Sequence, residues 1–300
     1  MIRLLLCLLL LAGCAGAAAP AAAADLKVAT WNLEWLTERP KGDRGLPDNV
    51  TPKVAEDIDA LRRYANLLDA DVVAFQEVDG PEVAARVFTP DRYRIFVTGD
   101  RVTQRVGFAV RRTLAAEQNP DLVGLDVSAP GRNRLRSGAD ITLTLAGNRL
   151  RLLAVHLKTG CHEARLASPS RNCETLHGQV PPLQGWIAQR REDGVPFVLI
   201  GDFNRRMDKP DELLAALNAA APLLRVTEGR GSPCWGGGAF IDHIMAGGAA
   251  RAWMQPDTLR VLVYRETGAD AKEHLSDPCP VSVRFRLPDG GPTLAAEPRG

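Results

Sequence analysis

Aromatic residues make up only 5% of this 300-residue sequence, and its 37 basic residues are offset by 36 acidic ones for a formal net charge of +1. That balance excludes a protein that grips polyanions by bulk charge, so any hold on nucleic acid must come from a local patch. No Cys-x-x-Cys pair occurs among the six cysteines, which removes the usual spacing of a structural zinc site. There is no internal repeat and no clear linker. Beyond the N-terminus no long apolar run offers itself as a loop for insertion into lipid, which counts against a lipid-specific enzyme. What remains, 45% hydrophobic and 24% charged residues, suits a globular protein with a sizeable core.

The N-terminus has its own character. Met1-Ile2-Arg3 followed by Leu4 to Leu11 is a short basic segment and an apolar stretch too short to span a bilayer, so residues 1–24 read as an export signal. Two processing routes compete. Leu11-Ala12-Gly13-Cys14 resembles the lipobox of bacterial lipoproteins, in which Cys14 becomes a lipidated N-terminus and anchors the protein to a membrane. The Ala-rich run to Ala24 suits ordinary signal peptidase. Either route places the mature protein outside the cytoplasm, in the periplasm, on a membrane or secreted. Cys161, Cys173, Cys234 and Cys279 then form an even set in an oxidising setting, and Cys161–Cys173 with Cys234–Cys279 is the preferred of three pairings.

One domain over residues 25–287 is expected, followed by a Pro-, Gly- and Ala-rich tail, 288–300, expected to be disordered. Leu26 to Asn32, Asp71 to Val78 and Phe197 to Ile200 read as strands, with Asn32, Glu77 and, past Gly201, Asp202 delivered at their ends. Tyr93 to Thr98 and Val106 to Val110 are further strands, and Ile141–Leu145 and Leu150–Val155 form a hairpin across Gly147-Asn148. Val54, Ile58, Leu61, Ala65 and Leu68 fall at helical spacing, with Thr51 as N-cap and Pro52 at the first helical position. Leu183–Arg191 and Asp211–Ala220 are shorter helices, and Cys161 to Pro182 is a polar excursion. Strands outnumber helices, so the class is α+β, with two packed sheets and helices outside.

Polar groups recur where strands stop: Asn32, Glu77, His156, Asp202, Asn204, Asp242 and Asp277. Such an oxygen-rich set suits a hard divalent cation, Mg²⁺ with Mn²⁺ as substitute, and a metal there would bind phosphate and stabilise in-line attack. Lys158 beside His156 is a candidate phosphate contact. Arg136 is another, although its alternation with Arg132 and Arg134 is also the pattern of a solvated strand face. Trp31 and Trp35 read as core and rim packing.

The segments TWNLEWL, AFQEV, AVHLKTG, LIGDFNRR, FIDHIMA and LSDPCPVSV, in that order from Ala29 to Val283, resemble the endonuclease/exonuclease/phosphatase superfamily of deoxyribonuclease I, exonuclease III, neutral sphingomyelinases and inositol polyphosphate phosphatases. The resemblance implies a four-layer α/β/β/α sandwich of two mixed sheets flanked by helices, and metal-dependent hydrolysis of phosphoesters. It implies Glu77 as principal metal ligand with Asn32 and Asp277 close by. Asp202 and Asn204 would position water and phosphate, His156 would contact phosphate, and Asp242 would support a catalytic histidine.

That histidine is missing. The family's last motif reads Ser-Asp-His, and here the third position is Pro278, which has neither a donor nor an acceptor side chain. Loss of a general acid/base typically costs about 10²–10⁴-fold in rate, so a slow enzyme is compatible with the sequence. His274, four residues earlier, is a candidate substitute, whereas His243 should point to the other face of its strand from Asp242 and serve packing. The expected function is an Mg²⁺-dependent phosphodiester hydrolase, exported and monomeric, acting on nucleic acid first. A phospholipid or phosphate-ester phosphodiesterase and a catalytically impaired binding protein on the same fold are the alternatives.

Overall fold

A computed structural model describes residues 24–128, 134–268 and 270–289. The expected export signal up to Ala23, the lipidation site at Cys14, Arg132 and the tail from residue 290 onward lie outside the described residues. In chain order the strands are β1 (Ala24–Leu36), β2 (Val72–Val78), β3 (Tyr93–Val97), β4 (Arg105–Arg111), β5 (Ala115–Gln118), β6 (Ala139–Leu145), β7 (Asn148–His156), β8 (Phe197–Asp202), β9 (Leu223–Arg225), β10 (Gly231–Ser232), β11 (Gly238–Ala239), β12 (Asp242–Gly247), β13 (Met254–Val261) and β14 (Val281–Leu287). The helices are α1 (Ala55–Leu68), α2 (Pro81–Val87), α3 (Arg171–Gly178), α4 (Val180–Glu192), α5 (Glu212–Ala220), α6 (Ala250–Trp253) and α7 (Ala271–His274).

Two six-stranded sheets result, ordered β13-β14-β1-β2-β4-β3 and β5-β6-β7-β8-β12-β9, with β10-β11 as a small separate ribbon. Each large sheet is mixed for the same reason. Its centre is a parallel pair, β1/β2 in one and β7/β8 in the other, and every other pairing is antiparallel. A parallel pair needs a long crossover. The chain supplies one through α1 between β1 and β2, and another through α3 and α4 between β7 and β8.

The period-two alternation of the strands sorts side chains into layers. Val28, Phe108, Leu152, Ile200 and Phe285 meet between the sheets. Trp31, Phe75 and Phe88 face outward under Ile58, Leu61 and Leu68 of α1, while Leu153, Phe197 and Leu199 lie under Leu183, Trp186 and Ile187 of α4. These three apolar layers give the two packed sheets with outer helices expected from the strand and helix pattern, and the four-layer α/β/β/α sandwich that the resemblance implies. Each fully buried Phe or Leu contributes roughly 1.5–3 kcal/mol relative to leaving it exposed.

Three local expectations need correction. Helix α1 starts at Ala55, not beside Thr51. Val54 is its N-cap and donates its N–H to Asp57 Oδ2 at 2.9 Å, while the Thr51 hydroxyl is spent on Glu273 Oε2 at 3.1 Å. The β6/β7 hairpin turns on Ala146-Gly147, both at positive φ (49° and 75°), with Leu145 opposite Asn148. Such a two-residue turn matches the strand twist, so Asn148 belongs to β7. The polar excursion after Cys161 contains a helix, α3, capped by the Ser170 hydroxyl accepting the Cys173 N–H at 3.2 Å. The polar composition of that segment had hidden it.

Candidate active site

The carboxyl ends of β1, β2, β7 and β8 all arrive at one edge of the sandwich, the place where open α/β sheets leave a crevice. In register, Asn32 of β1 lies opposite Gln76 of β2, so Glu77 follows at once, and His156 of β7 lies opposite Asp202 of β8. Strand β12 runs antiparallel to β8 and sets Asp242 opposite Asp202. Gly201 is what lets β8 reach this point. Its φ of +137° is left-handed, and a Cβ there would stand 2.1 Å from the Val155 carbonyl oxygen.

The edge opens into a cavity of about 540 Å³ lined by Asn32, Glu34, Trp35, Glu77, Asp202, Asn204, Arg206, Trp235, Phe240, Asp242, Lys272, Asp277, Pro278 and the Cys234–Cys279 disulfide, among others. Asn32 stitches the two sheets together. Its Nδ2 donates to Glu77 Oε1 at 2.9 Å and to Asp202 Oδ2 at 3.0 Å, and its Oδ1 accepts the Glu34 N–H at 2.9 Å. Asp202 Oδ1 accepts the Asn204 N–H at 2.7 Å, and the Asn204 amide donates to the Leu157 carbonyl at 3.1 Å. His156 sits behind, 96% buried, with Nε2 3.6 Å from Glu77 Oε1 and 3.7 Å from Asp202 Oδ2.

Strain marks the same place. Of seven non-glycine residues at positive φ among the described residues, five line this cavity: Glu34, Trp35, Glu77, Asn204 and Trp235. A left-handed bulky residue costs about 1–3 kcal/mol and persists where the surroundings over-determine it, which is characteristic of functional sites.

Charge is concentrated as well. Burial, and to a lesser extent the Glu77 carboxylate, push the Asp202 carboxyl up to about 7 against the pull of its hydrogen bonds from Asn204 and Asn32. Burial also pushes Asp242 well above the carboxylate range, helped by Asp202, Asp277 and Glu77, and its Oδ1 is buried without a hydrogen-bond partner. Burial, then the Arg136 and Lys158 charges, hold His156 well below the usual imidazole range, and its Nδ1 is likewise unpartnered.

The profile of the Endonuclease/Exonuclease/phosphatase family matches residues 29–261, most of the chain and all but the last of these site segments. The chain belongs to the Endonuclease/Exonuclease/phosphatase family. No curated protein matches the sequence. Solved structures do match the fold. TDP2 of D. rerio complexed with a single-strand DNA product is 17% identical with a TM-score of 0.57, over 88% of this chain and 99% of that one. The human Nocturnin catalytic domain with bound sulfate is 14% identical with a TM-score of 0.58, over 87% and 94%. The NExo 3′ phosphatase of Neisseria bound to a product DNA hairpin is 16% identical with a TM-score of 0.56, over 87% and 100%. At such identities the likeness establishes the shared fold.

In this family member the predicted Asn32, Glu77, Asp202, Asn204, Asp242 and Asp277 converge on one cavity, with His156 directly behind. Two predicted phosphate contacts do not. Arg136 is neither on a solvated face nor in the cavity. It is 92% buried, and its guanidinium donates to the His156 carbonyl at 2.9 Å and the Leu157 carbonyl at 3.2 Å. Lys158 lies outside the lining and donates from Nζ to the neighbouring Thr159 carbonyl at 3.1 Å. His274 is no replacement for the missing imidazole, because Nδ1 faces the Asp57 carboxylate at 3.1 Å and Nε2 lies 3.5 Å from Asp270. His243 is structural as expected, bonded to Thr227 Oγ1 at 2.6 Å and the Arg205 carbonyl at 2.9 Å, with burial holding it down to about 3.

Sequence reasoning missed Glu34, Trp35, Trp235, Lys272 and Arg206. Glu34 Oε2 accepts the Asp277 N–H at 2.6 Å, and the Trp235 indole donates to the Ser276 carbonyl at 3.1 Å. The only signal for Trp235 was its place beside Cys234. Both expected disulfides are present, Cys161–Cys173 and Cys234–Cys279.

Proposed function

We propose that the protein is a divalent-cation-dependent phosphoric ester hydrolase whose substrates are nucleic-acid phosphodiesters, acting as a monomer outside the cytoplasm, free or anchored through a lipid on Cys14. The observation that carries this reading is the convergence of Asn32, Glu77, Asp202, Asn204 and Asp242 on one strained cavity. The DNA product in D. rerio TDP2 and the DNA hairpin in NExo support the substrate class, and the two disulfides support an oxidising compartment.

The donor set fits Mg²⁺. Among the described residues no three His, Cys, Asp or Glu side chains form a ready-made cage, and Mg²⁺ asks for only one or two carboxylates, keeping several waters. Two carboxylates share a single amide donor from Asn32, and the Asp242 oxygen has no donor at all, a cluster that a cation would relieve. All four cysteines of the described residues are in disulfides, which removes soft ligands. Glu77 with Asn32 would hold the ion, with Asp277 at the rim, and the bound cation supplies Lewis-acid stabilisation of phosphate charge.

The chain's own groups do the rest. Asp202, its orientation fixed by Asn204 and Asn32, aligns the attacking water and takes its proton. Asn204, pinned to Leu157, holds the phosphate side. His156, kept neutral by burial, faces the site through Nε2 and contacts a phosphate oxygen. Arg136 acts through the backbone, fixing the end of β7 on which His156 stands.

Pro278, which lines the cavity, favours a second reading in which the site binds nucleic acid without turnover. Hydrolysis of plasmid DNA and of a chromogenic diester, with and without Mg²⁺, separates the two when run beside Glu77→Ala. Turnover that needs both the ion and Glu77 supports the enzyme. Binding of DNA with no turnover under any condition supports the binder.

A further inference from the structure

The turn before β14 places a residue without a transferable proton against the reacting centre. Pro278 lines the cavity at the position where the resemblance puts an imidazole, and the cation that stands by the same wall is Lys272, its Nζ 5.8 Å from the Trp235 ring centroid. Asp242 stands directly opposite Asp202 in the β8/β12 register, so the two carboxyls share one face and one side of the site. In an in-line displacement the leaving oxygen departs from the side opposite the water that Asp202 aligns. His156 is also on the Asp202 side, 3.7 Å from its Oδ2. Arg206 is engaged with Glu163, and Lys272 is half-exposed, 3.6 Å from Asp277 Oδ1.

The wall around Pro278 is built of aromatic and apolar side chains. Trp235 is left-handed at φ 49°, its indole bonded to Ser276 and its ring centroid 5.5 Å from that of Tyr264. The Cys234–Cys279 disulfide joins the residue before Trp235 to the residue after Pro278, and Phe240 completes the surface. An acidic floor thus meets a planar aromatic wall with one ammonium, Lys272, beside it.

We infer that this site acts on phosphoric esters and anhydrides whose leaving group departs as a stable anion, with a planar leaving group packed against Pro278, Trp235 and Phe240. The inference rests on the hydrolase reading. Water oxygen bonds to phosphorus and its proton passes to Asp202. The bond from phosphorus to the leaving oxygen breaks, and its electron pair leaves with an aryloxide or phosphate that is protonated, if at all, by solvent. A phosphomonoester remains.

The test uses the full chain with Mg²⁺ and the para-nitrophenyl, phenyl and ethyl esters of thymidine monophosphate, with thymidine diphosphate as the anhydride arm. The unmodified protein is expected to depend steeply on leaving-group pKa. Pro278→His is expected to speed the ethyl ester by about 10²–10⁴-fold while changing the para-nitrophenyl ester by less than about tenfold. Pro278→Ala, which adds no donor, should keep the steep dependence. A shallow dependence in the unmodified protein overturns the inference on its own, whether or not Pro278→His folds. A steeper dependence in Lys272→Ala or Asp242→Asn would identify a proton donor and also overturn it. No turnover of any ester or of the anhydride overturns the hydrolase reading together with this one, whereas turnover with a shallow dependence overturns this one alone. Tighter binding of phenylphosphonate than methylphosphonate, lost in Trp235→Ala, is expected if the wall receives an aryl group. Equal binding, with the diphosphate as the fastest substrate, assigns the leaving group to phosphate and removes the planar-wall part of the inference.

Discussion

Asp202 and Asp242 are carboxyls held above their ordinary range, and this fixes the sign of a pH effect. With the folded pKa of Asp202 at about 7 and an unfolded value near 3.9, the folded state holds the extra proton between those limits. The stability this group contributes is therefore fully present below pH ~4 and is lost as pH rises through ~7. Asp242 acts in the same direction. In EDTA the Tm should fall across this window, and Asp202→Asn should flatten the fall. Saturating Mg²⁺ should have the opposite effect at neutral pH. At a hundredfold excess over Kd a ligand stabilises the fold by about 2.7 kcal/mol, and Glu77→Ala should abolish that gain in a thermal melt.

Strand β8 does the most at the scale of elements. Gly201→Ala would drive a methyl group into the Val155 carbonyl at a left-handed φ, so a loss of about 2–5 kcal/mol is expected in urea unfolding. This strand was legible in the sequence because its composition and its function coincide: Phe197 to Ile200 are buried on both faces, and Gly201-Asp202 ends them. The strands carrying Asn32, Glu77 and His156 were legible for the same reason. What could not be read was anything decided by the neighbouring chain. Arg136 sits in a sequence that alternates like a wet face, yet the end of β7 offers it two carbonyls and buries it. The left-handed turns at Glu34, Trp35 and Trp235 bring side chains into the cavity by backbone conformation, and no residue type there announces it. Helix α3 was missed because its apolar face is only Cys173 and Leu176.

On the scale of the whole molecule, the two disulfides close loops of different reach, with sequence separations of 12 for Cys161–Cys173 and 45 for Cys234–Cys279. On the chain-entropy view the longer one contributes about 1 kcal/mol more, so Cys234→Ser/Cys279→Ser should lower the midpoint of denaturant unfolding further than Cys161→Ser/Cys173→Ser. Activity should separate from stability in the same pair, because only the longer disulfide lies in the cavity wall. The sheet that carries Asn32 and Glu77 pairs the first and the last strands of the described residues. Strand β1 pairs with β14 from Ala24↔Leu287 to Thr30↔Val281. A polypeptide still emerging from a ribosome or a translocation pore has the first of these strands and lacks the last, so β1 has β2 on one side and nothing on the other. Completion of this sheet therefore waits for β14, and whatever the cavity at its edge does waits with it.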